Sequence, residues 1–149
     1  MKKTIVIYHT QYGNTEKIAK ALTSGLVEQE VDVDCMKVED VQVDKLMEYD
    51  LLAIGGPTHF RTMSQPMKTF LEKLERVDLK GMNAFAFDTK AQGWWAGSAG
   101  KAIEKKLKRI RLHILKPHAS AIITEREGPL QEGMEEKFKQ IGAEIARVV

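Results

Sequence analysis

The sequence predicts a doubly wound α/β fold: three layers, with a five-stranded parallel sheet in the order 2-1-3-4-5 between helices on both faces. Three observations lead there. Strand-like and helix-like segments alternate five times along the 149 residues. The strand-like runs at 4–9 (TIVIYH), 50–55 (DLLAIG) and 82–87 (MNAFAF) are apolar with almost no alternation, as in parallel strands buried on both faces. Right-handed crossovers then leave few arrangements of five strands, and this order is the best fit.

Each element has its own signal. After the strand at 4–9, residues 15–28 place Ile18, Ala19, Leu22, Leu26 and Val27 at helical spacing, with Asn14 as the expected cap. Residues 31–38 alternate Val31, Val33 and Cys35 and read as a strand with one wetter face. A short helical piece at 43–49 leads to the strand at 50–55. The segment 64–75 (SQPMKTFLEKLE) is a helix with Ser64 as cap and Pro66 in its first turn. The strand at 82–87 precedes a lysine-rich amphipathic helix at 98–109. Residues 112–116 and 119–124 form one strand interrupted at Pro117, and 131–148 is a closing helix. The whole chain, 1–149, is expected to form a single domain, with no repeat or linker to divide it.

Composition excludes several classes. Hydrophobic residues are 43%, charged residues 30%, and the formal net charge is +2, ordinary for a globular protein and too mild for a nucleic-acid footprint. No apolar run approaches a membrane span, and the N-terminal one ends at His9, too early for a signal peptide. Cys35 is the single cysteine, which gives no disulfide framework and no Cys-based metal site. The expectation is a cytoplasmic protein without a metal, nucleic-acid or membrane partner.

In this topology the ligand crevice lies at the carboxyl ends of the strands, where three loops meet. The first, His9-Thr10-Gln11-Tyr12-Gly13-Asn14-Thr15, runs from a strand directly into a helix. Its hydroxyls, its amides and the free N–H groups of the helix start suit a phosphate dianion. It has neither the lysine of a nucleoside-triphosphate loop nor the glycine spacing of a dinucleotide loop. Alone, it could equally be a polar helix cap. The second loop is Gly55-Gly56-Pro57-Thr58-His59-Phe60-Arg61-Thr62-Met63. Its glycines would let backbone approach a ligand, and it carries flat rings at its tip. The third, Asp88-Thr89-Lys90-Ala91-Gln92-Gly93-Trp94-Trp95-Ala96-Gly97, holds both tryptophans of the chain among small residues. One aromatic could merely cover the sheet edge, but two tryptophans opposite a phosphate loop favour a flat aromatic ligand.

These residues make the chain similar to the flavodoxin-like flavoproteins, which bind FMN without a covalent bond. The resemblance runs over the whole chain and is most specific at TQYGNT, residues 10–15, of the form [ST]-x-x-G-N-T. It implies that Thr10, Gln11, Tyr12, Gly13, Asn14 and Thr15 hold the FMN phosphate. Pro57, Thr58, His59 and Phe60 would form the second flavin loop, and Asp88, Thr89, Lys90, Gly93, Trp94 and Trp95 the third. Backbone around Thr58, Asp88 and Lys90 would meet the pyrimidine edge and the ribityl chain. His59 or Phe60 would lie on one face of the isoalloxazine and Trp94 or Trp95 on the other. The stretches GGPTHF and SQPMKTFL look more like the related quinone-reductase flavoproteins, and the chain is less acidic than many flavodoxins.

The function implied is electron transfer between redox partner proteins, acidic ones given a basic rim of Lys17, Arg61, Lys68, Lys90 and Lys101 against Glu16 and Asp88. The alternatives are an NAD(P)H-dependent quinone or small-molecule oxidoreductase, and a binding module of the same fold that has lost FMN. A monomer or weak homodimer is expected. No catalytic nucleophile, acid or base is assigned, so the chemistry would be the cofactor's.

Overall fold

The computed structural model describes residues 2–149. The chain begins with β1 (Lys3–Tyr8), α1 (Asn14–Glu28) and β2 (Asp32–Lys37), followed by single 3-10 turns at Val38–Asp40 and Val43–Glu48. It continues with β3 (Leu51–His59), β4 (Thr62–Met63), α2 (Gln65–Leu74), β5 (Asn83–Ala91) and a 3-10 turn at Trp94–Ala96. The last part comprises α3 (Ala99–Arg109), β6 (His113–Ile114), β7 (Ala119–Ile123) and α4 (Met134–Ala146).

The predicted strand order is present. β2, β1, β3 and β5 lie side by side and parallel, and β6 and β7 both pair with β5 along the same edge. β6 meets Asn83 and Ala84, whereas β7 meets residues 87–91, so the two are halves of one strand interrupted at residues 115–118. Pro117 lies in that gap.

The reason the strands read as unbroken apolar runs is visible in the core. Alternate residues of each strand point to opposite faces, and both faces are covered. Ile5, Ile7, Leu52, Ile54, Ala84 and Ala86 pack with Phe70, Leu71, Leu74, Ile103 and Leu107 of α2 and α3. Val6, Leu51, Ala53, Phe85 and Phe87 pack with Leu22, Leu26, Phe138 and Ile145 of α1 and α4.

Several boundaries differ from the sequence expectation. Asn14 is the first residue of α1, not its cap; Gly13, in a left-handed conformation at φ 92°, holds the cap position. The short helical piece expected at 43–49 is a 3-10 helix at Val43–Glu48, and α4 starts only after Gly133. Ser64 occupies the cap position of α2 without a side-chain capping bond. β3 runs on to His59 and turns back through β4, because Thr58 pairs with Met63 and His59 with Thr62. β5 continues to Ala91, since β7 extends the ladder alongside it.

α1 and α4 approach each other through glycines. A Cβ on Gly25 would lie 2.0 Å from the Lys139 carbonyl oxygen, and one on Gly142 would lie 2.4 Å from that of Leu22. Both neighbours are backbone and cannot rotate aside. Gly→Ala in a helix ordinarily stabilises by about 1 kcal/mol. Here Gly25→Ala and Gly142→Ala are each expected to cost about 1–3 kcal/mol through overpacking. Urea denaturation checks this as a lower midpoint at unchanged slope.

Candidate functional site

The loops at the carboxyl ends of β1, β3 and β5, with the turn after β7, enclose a cavity of about 710 Å³, within the ordinary range for a cofactor-sized ligand. Its lining brings together Thr10, Gln11, Tyr12, Asn14 and Thr15 from the first loop, and Pro57, Thr58, His59, Phe60 and Arg61 from the second. Thr89, Ala91, Trp95 and Ala96 close it from the third, Ile123 from the end of β7 and Arg126 from the turn that follows.

The first loop is shaped by its own hydrogen bonds. Gly13 N–H donates to Thr10 Oγ1 at 2.9 Å, and Gly13 then turns the chain into α1. The first-turn N–H groups of a helix have no intrahelical acceptor, and the helix dipole adds partial positive charge at the same place. Thr15 Oγ1 is 3.0 Å from Thr89 Oγ1, which ties this loop to β5. Asn14 and Thr15 are buried. Asn14 does not cap its own helix: its Nδ2 donates to the Glu127 carbonyl at 3.1 Å, fastening the turn after β7 against the first loop.

The second loop closes as a two-residue hairpin between β3 and β4, with Phe60 and Arg61 at its tip. Phe60 and Arg61 both have positive φ, 50° and 71°, the signs that a type I′ two-residue hairpin requires and that non-glycine residues adopt at about 1–2 kcal/mol each. Phe60 is 100% exposed at the tip. The paired glycines do not open a path to the ligand as expected, because the space beside Gly55 is filled by the Phe87 ring, 2.2 Å from where a Cβ would lie. Gly97 supports the hairpin from the third loop. It has φ 72°, and a Cβ there would come within 2.3 Å of Arg61 backbone. Ala99 N–H donates to Thr58 Oγ1 at 3.0 Å, so the second and third loops are braced against each other.

On the third segment, strand alternation sorts the residues. Thr89 and Ala91 line the cavity, whereas Asp88 and Lys90 do not. Asp88 is buried and accepts hydrogen bonds from Gly100 N–H at 2.7 Å and from the Ser98 hydroxyl. Its carboxylate thus sits at the positive end of α3. Lys90 Nζ donates to the Gly93 carbonyl at 3.3 Å. Gly13, Gly93 and Trp94 also lie outside the lining. Gly93 nevertheless supports it, since its missing side chain leaves the place taken by the Trp95 indole. Trp94 is 88% exposed and Trp95 59%, and Trp95 is the one that faces the cavity. Two lining residues were not visible from the sequence: Ile123 and Arg126 belong to a strand end and turn with no motif of their own.

The cavity lining is electropositive: it holds Arg61 and Arg126 and no carboxylate, and among the described residues neither arginine forms an ion pair. Burial lowers the pKa of His59, and the Arg126 charge lowers it further. His9 is lowered by burial and by His59, against an upward pull from Glu39.

A profile of the family described as flavodoxin matches residues 6–141. The chain belongs to the flavodoxin family. Among its curated relatives, "Probable flavodoxin 1" of Bacillus subtilis is 31% identical over 58% of this chain and 56% of its own length. An "NAD(P)H dehydrogenase (quinone)" of Caulobacter vibrioides is 29% identical over 61% of this chain and 58% of its own. The chain thus spans little more than half the length of these two relatives. A solved flavodoxin from the domain Archaea superposes with a TM-score of 0.86 at 26% identity, covering 98% of this chain and 97% of that one. Oxidised Flavodoxin 1 from Bacillus cereus superposes at 0.85 with 21% identity and shares the fold.

FMN is the cofactor of this family, and the cavity fits it. The neutral donors of the first loop and α1 suit its phosphate, and the flat walls at Trp95, His59 and Phe60 suit its ring system.

Because folding lowers the His59 pKa, the folded chain binds fewer protons than the unfolded chain just below pH 6.5. Its contribution to stability is therefore present above pH 6.5 and is lost as pH falls below it, through the lowered folded-state value. His59 should titrate below 6.5 when followed by NMR of its imidazole. Arg126→Gln should move it part of the way back up, the remainder of the shift being due to burial.

Proposed function

We propose that residues 1–149 act as one FMN-binding domain that carries electrons between redox partner proteins. The observation that carries this reading is a cavity with a built phosphate end and an open aromatic end. Thr10, Gln11, Tyr12, Asn14 and Thr15 line it from the first loop, while Phe60 and Trp95 line it from the other two and stand exposed. Bound FMN would supply the redox chemistry, accepting and releasing electrons at its ring.

In this reading the protein's own groups bind, orient and shield. Backbone N–H groups around Gly13 and the hydroxyls of Thr10 and Thr15 hold the phosphate. Pro57, Thr58 and Thr89 border the chain that links phosphate and ring. His59 or Phe60 on one side and Trp95 on the other flank the ring and exclude water from its faces. Gly93 and Lys90 set the position of Trp95, and Asp88 fixes the start of α3 behind it. The unpaired cations at the rim favour acidic redox partners, by steering more than by contact energy. A cytoplasmic location accords with a chain in which no described helix is long and apolar enough to cross a membrane.

A second reading is favoured by the Caulobacter relative's name: an NAD(P)H-dependent quinone oxidoreductase. Anaerobic titration with NADH, NADPH and dithionite separates the two. A carrier is reduced by dithionite and inert to pyridine nucleotides. Rapid bleaching by NADH or NADPH, with turnover on a quinone, establishes the reductase instead.

Two further outcomes are expected. FMN should bind more tightly than riboflavin, because the phosphate gains several charge-assisted N–H bonds. Trp95→Ala should weaken FMN by about 1–3 kcal/mol, the usual range for loss of aromatic stacking, and Trp94→Ala should weaken it much less. Both are read by titrating tryptophan or flavin fluorescence.

A further inference from the structure

We propose that Arg126 is the cationic ligand of the cofactor phosphate, brought to an otherwise neutral loop by the turn that follows β7. The inference rests on the FMN reading of the cavity and assigns a phosphate contact outside the TQYGNT segment.

The phosphate loop has no cation of its own. Thr10, Gln11, Tyr12, Gly13, Asn14 and Thr15 offer only neutral donors, and the nearest lysine in sequence, Lys17, is exposed and outside the lining. A helix start contributes the equivalent of roughly half a positive charge. A phosphate monoester carries close to two negative charges at neutral pH.

The turn at residues 124–130 is built to deliver the missing charge. It is closed by Thr124 N–H donating to the Pro129 carbonyl at 2.9 Å, by Gly128 N–H donating to the Glu125 carbonyl at 3.0 Å, and by the bridge between Ile123 and Leu130. It is then fastened to the phosphate loop. Asn14 Nδ2 donates to the Glu127 carbonyl, and a Cβ on Gly128 would lie 2.8 Å from both Asn14 side-chain polar atoms. This turn and the start of α1 therefore form one packed unit.

Arg126 directly precedes Glu127 in this turn and lines the same cavity as Thr10, Gln11, Asn14 and Thr15. Glu125 and Glu127 flank it in sequence, yet it forms no ion pair with either. Its charge also acts on His59 across the cavity. An exposed, unpaired guanidinium at the mouth of a site can close on an arriving phosphate, and its planar fork matches phosphate oxygens in a bidentate contact. Binding then neutralises the dianion without burying a cation in the empty site.

The test is titration of the flavin-free full-length chain with FMN and with riboflavin, followed by flavin fluorescence, for wild type, Arg126→Gln and Arg126→Lys. Because Arg126 is exposed, both variants should fold, and thermal melts check this. Arg126→Gln should weaken FMN about five- to twentyfold while changing riboflavin by less than about twofold, as expected for one charge-assisted contact. Arg126→Lys should recover much of the loss. Added KCl should weaken FMN binding to wild type more than to Arg126→Gln. Equal losses for FMN and riboflavin would assign Arg126 to the ring and overturn the proposal, as would an FMN affinity unmoved by Arg126→Gln. Wild type that binds FMN no more tightly than riboflavin would overturn the phosphate-loop reading itself, a failure distinct from the loss of Arg126's role alone.

Discussion

The site depends on one topological constraint: β1 and β3 lie side by side and parallel, but their helices leave for opposite faces of the sheet. α1 packs with the layer around Leu22, Leu26 and Phe138, and α2 with the layer around Phe70, Leu71 and Leu74. No helix can cover the gap between the two departures, so a crevice opens at the strand ends. The buried sheet fixes how far apart its walls stand. The α1 N-terminus, with its free N–H groups and positive field, points into that crevice because β1 feeds straight into it through Gly13.

A crevice bounded by surface loops would be loose if each loop were independent, and here they are not. Thr15 bonds to Thr89, Asn14 to Glu127, and Ala99 to Thr58, while Gly97 packs on Arg61. Each contact joins loops far apart in sequence. The strained conformations of Phe60 and Arg61 are held by this bracing, and they carry an aromatic and a cation out to the rim. Order in the first loop is therefore coupled to the hairpin through β5 and the third loop. A ligand that engages one loop meets walls already set by the others, which lowers the entropy lost on binding.

The charge pattern follows a similar logic. The two arginines that line the cavity, Arg61 and Arg126, form no ion pair among the described residues, and no carboxylate lines it. A net charge of only +2 therefore coexists with an excess of positive charge in the cavity lining. Asp88, the carboxylate that sequence alone would set against that excess, is buried at the start of α3 and spent on backbone and hydroxyl donors.

The sequence by itself determined the layer architecture, the strand order and the polar turn from β1 into α1, because those rest on short-range patterns. Continuous apolar runs demand two covered faces, and TQYGNT between a strand and a helix demands a turn with free N–H groups. The division of labour within the second and third loops was decided only by tertiary structure. Phe60 and Arg61 carry no hairpin signal, since the usual Asn-Gly is absent and the turn is imposed by pairing and by Gly97. The extension of β5, which separates Thr89 and Ala91 from Asp88 and Lys90, exists because β7 lies beside it. The choice between Trp94 and Trp95 follows from packing on Gly93. Arg126 reaches the site through a tether to Asn14, 112 positions away in sequence. Local patterns encode periodicity and turn chemistry, but which side of a strand faces a ligand, and which distant loop completes a site, is fixed by contacts that form only once the sheet is assembled.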